Sequence, residues 1–121
     1  MNEFQQNILE HYHNPKNFYS PVEWKPTSVN TLENASCGDK ITIYIRVEDD
    51  IVKSISFTGE GCSIAIATAS LLTEHFKDLH INEILSFKEN NISTFLGIQL
   101  TINRLKCALL PLSTIKATLN K

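Results

Sequence analysis

The chain has 121 residues, 42% of them hydrophobic and 20% charged, with a formal net charge of −2. That is enough sequence for one domain with a real core, expected over residues 1–121, and the charge balance argues against a nucleic-acid surface, which needs a basic stripe. The opening MNEFQQNILE has neither the basic nor the apolar region of a secretory signal, and no apolar run reaches the roughly 18 residues of a membrane span, so the expectation is a cytoplasmic protein with no membrane partner.

The first predicted element is an amphipathic helix. Phe4, Ile8 and Tyr12 recur on one face with Leu9 beside them, Asn2 can cap the start, and Asn14-Pro15 stops it. Residues 15–36 hold three of the four prolines and show no period; they read as a long surface connection with a short strand near Val29–Leu32. KITIYIRV (Lys40–Val47) alternates cleanly, with Ile41, Ile43, Ile45 and Val47 on one face. After an EDD turn, IVKSISFTG pairs back as a hairpin, with Ile51, Ile55 and Phe57 inward and Lys53 as the exception.

From Ser63 to Phe76 the pattern becomes helical and apolar nearly all round, which marks a buried helix. INEILSF reads as a short helix and KENNISTFLG as another, ended by Gly97. The last helix carries Ala108, Leu112, Ile115 and Leu119 at helical spacing. Pro111 is expected in its first turn, where a missing N–H costs nothing, so the helix starts near Ala108 or later and Cys107 sits at or just before its N-terminus. The fold class is α+β: an antiparallel sheet of about three strands with helices packed on one face.

Three cysteines, an odd number with no Cys-x-x-Cys pair, fall at predicted element ends. Cys37 lies in the SCGDK turn, Cys62 at the strand-to-helix turn of FTGEGCSIAIATAS, and Cys107 at the last helix entry. In a reducing compartment such cysteines point to metal binding or catalysis, against the plainer reading of small hydrophobes in a core. Helix N-termini favour a thiolate at Cys62 and Cys107, and Lys106 and Arg104 add positive charge beside Cys107. If the three converge, Asp39 arrives with Cys37, and three sulfurs plus one oxygen make a tetrahedral site for zinc or iron. Gly38, Gly59 and Gly61 would let the backbone bend around it, and Lys40, Lys106 and Arg104 could offset the negative charge of the ligands.

Four stretches are together similar to the IscU/SufU (NifU N-terminal-like) family of iron–sulfur cluster assembly proteins: ILEHYHNPKN, ASCGDKITIYIRV, FTGEGCSIAIATASLLTE and RLKCALLPLSTIKATL. The resemblance covers most of the chain and places the family's metal-site positions on Cys37, Asp39, Cys62 and Cys107. The chain departs from IscU-like members in having Lys106 where they carry histidine, and in reading LTINRLK where they carry a proline-containing chaperone motif. Both departures resemble the SufU branch, while the length between Cys62 and Cys107 resembles the IscU branch.

The resemblance implies a scaffold that accepts sulfur from a cysteine desulfurase and holds metal or a nascent cluster at a site of three cysteines and one aspartate. Its alternatives are a zinc-dependent sulfurtransferase that activates the desulfurase, or a zinc-stabilised adaptor. Zinc (Zn2+) or ferrous iron (Fe2+) and a transient 2Fe-2S cluster are the implied cofactors, with an iron donor and apo-protein acceptors as further partners. Cys37, on its glycine-flanked turn, is the expected sulfur acceptor, and Cys107 is the alternative. His75 is read as a core or boundary residue, His11 and His13 as cations suited to a helix C-terminus. Trp24 is read as a loop anchor or partner contact, and Tyr44 as a strand residue.

Overall fold

A computed structural model describes residues 2–35 and 37–120; Ser36, the last residue of the predicted surface connection, lies outside them. Helix α1 (Glu3–His13) starts in a capping box. The Gln5 amide donates to Asn2 Oδ1 at 2.8 Å, and the Asn2 amide donates to Gln5 Oε1 at 3.2 Å. Of the predicted apolar face only Ile8 is buried; Phe4, Leu9 and Tyr12 remain exposed. After Pro15 the chain folds against the neighbouring elements. The Lys16 amide donates to Ser70 Oγ at 2.7 Å, and the Phe57 amide donates to the Asn17 carbonyl at 2.9 Å. Phe18 bridges Phe57 in parallel, so this segment closes one edge of the sheet.

The sheet is antiparallel with order β1-β2-β3: β1 (Ser28–Asn34), β2 (Asp39–Glu48) and β3 (Ile51–Glu60). The β2–β3 hairpin turns on Asp49 and Asp50, both left-handed at φ 55° and 61°, the pair of positive φ values that a type I′ turn needs. A bulge then corrects the predicted face of β3. Arg46 pairs with Ser54 and Val47 with Val52, leaving Lys53 as the extra residue. The parity flips there, so Val52 is buried while the predicted Ile51 is only half-buried and Lys53 points to solvent.

Ile41, Ile43, Ile45, Ile55 and Phe57 make the buried face, and burial of each stabilises the fold by about 1.5–3 kcal/mol. Helix α2 (Ser63–Phe76) packs on β3 and α5 (Ile102–Leu119) on β1 and β2; α1 lies on α2. Two short helices, α3 (Ile81–Leu85) and α4 (Ile92–Leu96), carry the chain between α2 and α5. Gly97, at φ 75°, ends α4 as expected.

The start of α5 corrects the sequence reading. The helix begins at Ile102, capped by Thr101, whose Oγ1 accepts from the Arg104 amide at 3.3 Å. Pro111 is therefore inside the helix, where it has no N–H to give the Cys107 carbonyl, a cost of about 3 kcal/mol. The fully buried face of Ala108, Leu112 and Ile115 offsets it. Among the described residues no helix is long and apolar enough to cross a membrane.

Candidate metal centre

The site forms where β1 hands over to β2 and β3 to α2, against the second turn of α5. Cys37 lies in the β1–β2 turn. Its amide and that of Gly38 both donate to the Asn34 carbonyl, at 3.2 and 2.9 Å, and Gly38 takes φ 75° to complete the turn. No sequence signal marked Asn34 for this part, because the acceptor is a main-chain carbonyl.

Asp39 is the first residue of β2 and 1% exposed. Its Oδ1 accepts from the Cys62 amide at 2.9 Å. Cys62 is the N-cap of α2 in extended conformation but makes no side-chain cap; its sulfur is 3.8 Å from Asp39 Oδ2. Gly61 permits this meeting. A Cβ there would stand 2.5 Å from Asp39 Oδ1 and 2.9 Å from its Cγ.

Cys107 corrects a prediction. It is not at a helix entry but within α5, 5% exposed and facing the same spot. The helix-end argument made from sequence therefore does not apply to Cys107. Burial pushes the Cys107 thiol up, and contacts with Cys62, Asp39 and Cys37 push the same way. Lys106 and Arg104 are exposed.

Cys37 Sγ and Cys107 Sγ are 3.8 Å apart, and the Cys37 thiol donates to Asp39 Oδ2 at 3.2 Å. One donor atom each from Cys37, Asp39 and Cys107 lies within 4.8 Å of the other two. Cys62 reaches Asp39 but falls outside that mutual set. A tetrahedral centre with metal–sulfur bonds of about 2.3 Å has sulfur–sulfur edges of about 3.8 Å, so the Cys37–Cys107 pair already has the spacing that zinc or tetrahedral iron needs. The donor chemistry, soft sulfur with one carboxylate, fits the same metals.

Burial acts to raise the Asp39 carboxyl, but the Cys62 amide and the thiols of Cys107, Cys37 and Cys62 outweigh it and hold the group below its ordinary value. The carboxylate is thus ionised and oriented before any cation arrives.

The histidines stay outside this cluster. His11 Nδ1 is 2.7 Å from Ser70 Oγ, which ties α1 to α2, and His13 is exposed. His75 is exposed rather than core, its ring packed beside Phe87 and Phe95. Trp24 donates to the Tyr19 hydroxyl at 3.0 Å and so anchors its loop, and the Tyr44 hydroxyl is 3.3 Å from Thr58 Oγ1 on the neighbouring strand.

The family model for the NifU-like N terminal domain matches residues 3–121. The iron–sulfur cluster assembly scaffold protein IscU of Thermotoga maritima is 33% identical, over 98% of this chain and 93% of its own length. The zinc-dependent sulfurtransferase SufU of Bacillus subtilis is 36% identical, over 71% of this chain and 56% of its own. Among solved structures, the SUF-system iron–sulfur cluster assembly scaffold protein FiSufU of Fervidobacterium islandicum superimposes with a TM-score of 0.78 at 27% identity, covering 98% of this chain and 96% of the other. The NifU-like N-terminal protein of Brucella abortus has the same fold, with a TM-score of 0.76 at 16% identity over 95% of this chain and 90% of its own. With the domain model matched over almost its whole length, the chain belongs to the NifU-like N-terminal domain family, whose members include IscU and SufU proteins.

Proposed function

We propose that this chain is an iron–sulfur cluster assembly protein. It accepts sulfur from a cysteine desulfurase and holds metal or a nascent cluster through Cys37, Asp39, Cys62 and Cys107. The observation that carries this reading is the mutual approach of Cys37, Asp39 and Cys107 within 4.8 Å, from a turn, a strand and a helix. Cys62 is the fourth donor in this reading: its sulfur stands 3.8 Å from Asp39 Oδ2, and its amide already grips Asp39. Bound zinc or ferrous iron would supply the positive charge that keeps the thiols as thiolates.

Cys37 is the sulfur acceptor in this reading. It is the exposed cysteine, whereas Cys62 is half-buried and Cys107 buried. A thiol that must meet a partner's persulfide needs access and a backbone that can move, and Gly38 gives the turn that freedom. An iron donor and apo-protein acceptors are the further partners. The likeness to the zinc-dependent sulfurtransferase favours a second reading, in which the site holds zinc and passes sulfur on without building a cluster.

Metal and acid-labile sulfide are to be measured on anaerobically purified protein, before and after incubation with desulfurase, cysteine and ferrous iron. A coloured, sulfide-containing centre is the expected result. Colourless zinc with persulfide on a cysteine selects the second reading. Absence of both cluster and persulfide refutes the proposal.

A further inference from the structure

The three cysteines differ in access, and the difference suggests a division of labour. Cys37 is exposed, and Cys107, 3.8 Å away, is 5% exposed and fixed within a helix. Sulfur received as a persulfide is at the sulfane level. Cluster assembly consumes sulfide, which is two electrons richer. Some group must supply that pair.

We infer that Cys107 is the resolving thiol of this site: it attacks Cys37 Sγ when that sulfur carries a persulfide, and expels the outer sulfur as sulfide. The inference rests on the reading of Cys37 as sulfur carrier. The step is Cys37–S–SH plus Cys107–SH giving the Cys37–Cys107 disulfide plus hydrogen sulfide. The persulfide S–S bond breaks and a new S–S bond forms between the two Sγ atoms. The two cysteine sulfurs together lose an electron pair, the sulfane sulfur gains it, and the Cys107 proton leaves with the sulfide. A dithiol reductant resets the disulfide for the next sulfur.

The geometry suits this displacement. Thiol–disulfide exchange is an attack along the bond being broken. Cys107 stands 3.8 Å from the inner sulfur and is buried, while Cys37 is exposed, so an outer sulfur on Cys37 has solvent to leave into. Forming the bond of about 2.05 Å closes the sulfur separation by about 1.8 Å. The Cys37 turn can make that move, since Gly38 has open space around it, while Cys107 is held by α5. Cys62 falls outside the group of mutually close donors. With Cys107 engaged as a metal thiolate the attack is blocked, so zinc loading is expected to preserve the persulfide.

The test uses the full chain, stripped of metal and loaded with sulfur in two parallel arms, by desulfurase with cysteine and by inorganic polysulfide. Both arms are desalted free of thiols under anaerobic conditions. Released sulfide is measured by colorimetry, and cysteine pairing by peptide mapping without reduction. The expected result is about one sulfide per Cys37 persulfide lost, a matching Cys37–Cys107 disulfide, and release slowed at least about tenfold by zinc or by Cys107→Ala. A Cys37 persulfide that persists in the folded native chain overturns the inference, and so does sulfide released with a disulfide to Cys62 or between chains. Native-chain mapping decides the matter even where Cys107→Ala fails to fold. If desulfurase leaves Cys37 unmodified, the acceptor reading fails, while the polysulfide arm still tests the resolving thiol.

Discussion

Gly61→Ala tests the site at the point where backbone and carboxylate meet. The added Cβ would stand 2.5 Å from Asp39 Oδ1, 2.9 Å from Cγ and 3.1 Å from Cβ. Ordinary contact needs about 3.5 Å or more, so the carboxylate must retreat by about 1 Å. Oδ1 is the acceptor of the Cys62 amide at 2.9 Å, and Oδ2 the acceptor of the Cys37 thiol at 3.2 Å, so the retreat strains both bonds at once. Losing a hydrogen bond to a buried carboxylate costs about 1.5–3 kcal/mol. Disturbing the support of a ligand lowers metal affinity by about 10–100-fold. Zinc affinity measured against a chromophoric chelator, together with urea unfolding of the metal-free chain, reads both effects. Gly38→Ala is the comparison: the space there is open, so only the left-handed φ of 75° is penalised, at about 1–2 kcal/mol. If Gly61 acts through Asp39, adding Gly61→Ala to Asp39→Ala costs little further affinity. Unchanged stability and zinc affinity in Gly61→Ala would refute the argument.

Four further outcomes follow from the same structure. The Asp39 carboxyl is depressed in the folded chain, so its contribution to stability is present above the unfolded value of about 3.9 and is lost as pH falls through the lower folded value; Asp39→Asn should flatten the acid limb of a urea-midpoint-against-pH curve of metal-free protein. The Cys107 thiol is raised, so its contribution is present below the unfolded value of about 8.5 and is lost as pH rises beyond it; Cys107→Ala should flatten the alkaline limb. Asp50→Gly relieves a left-handed turn residue at φ 61° and should stabilise the chain by about 0.5–1 kcal/mol without altering zinc affinity, read by urea unfolding and chelator competition. Ser70→Ala removes the hydroxyl that meets both the Lys16 amide and His11 Nδ1, and should cost about 1–3 kcal/mol, with hydrogen exchange rising in α1 and residues 15–19 while α5 stays protected.

What could be read from the sequence was what local chemistry determines. The alternation of Ile41, Ile43 and Ile45 gave β2 its buried face, and Asn2 gave α1 its start. The face of β3 beyond Lys53 was illegible because a bulge is a relation between two strands, and a period-2 pattern in one strand carries no mark of it. The start of α5 was misplaced because Pro111 is a strong local signal. Its cost is outweighed by burial that only the assembled sheet provides, while the Thr101 cap that sets the true start is a weaker signal. The same error put Cys107 at a helix end and misjudged its environment. Cys107 nonetheless meets Cys37, because the second turn of α5 lies against the β1–β2 turn.

The four candidate ligands are not equally prepared. Asp39 is already ionised and held by the Cys62 amide, Cys62 is fixed at the cap of α2, and Cys107 is fixed within α5. Only Cys37 stands on a turn, secured by two bonds to one carbonyl. A closed structural metal site gains nothing from such inequality, since each loose ligand adds an ordering cost to binding. A site that must release one sulfur to a partner and recover it gains a great deal, because the exchange can proceed at Cys37 while the other donors keep their places. The carboxylate serves the same end. As a harder ligand than sulfur it binds a soft metal less firmly, so the centre can open at modest cost. The inequality among the ligands is thus a physical argument for transfer over permanent structure, drawn from the backbone rather than from the donor atoms.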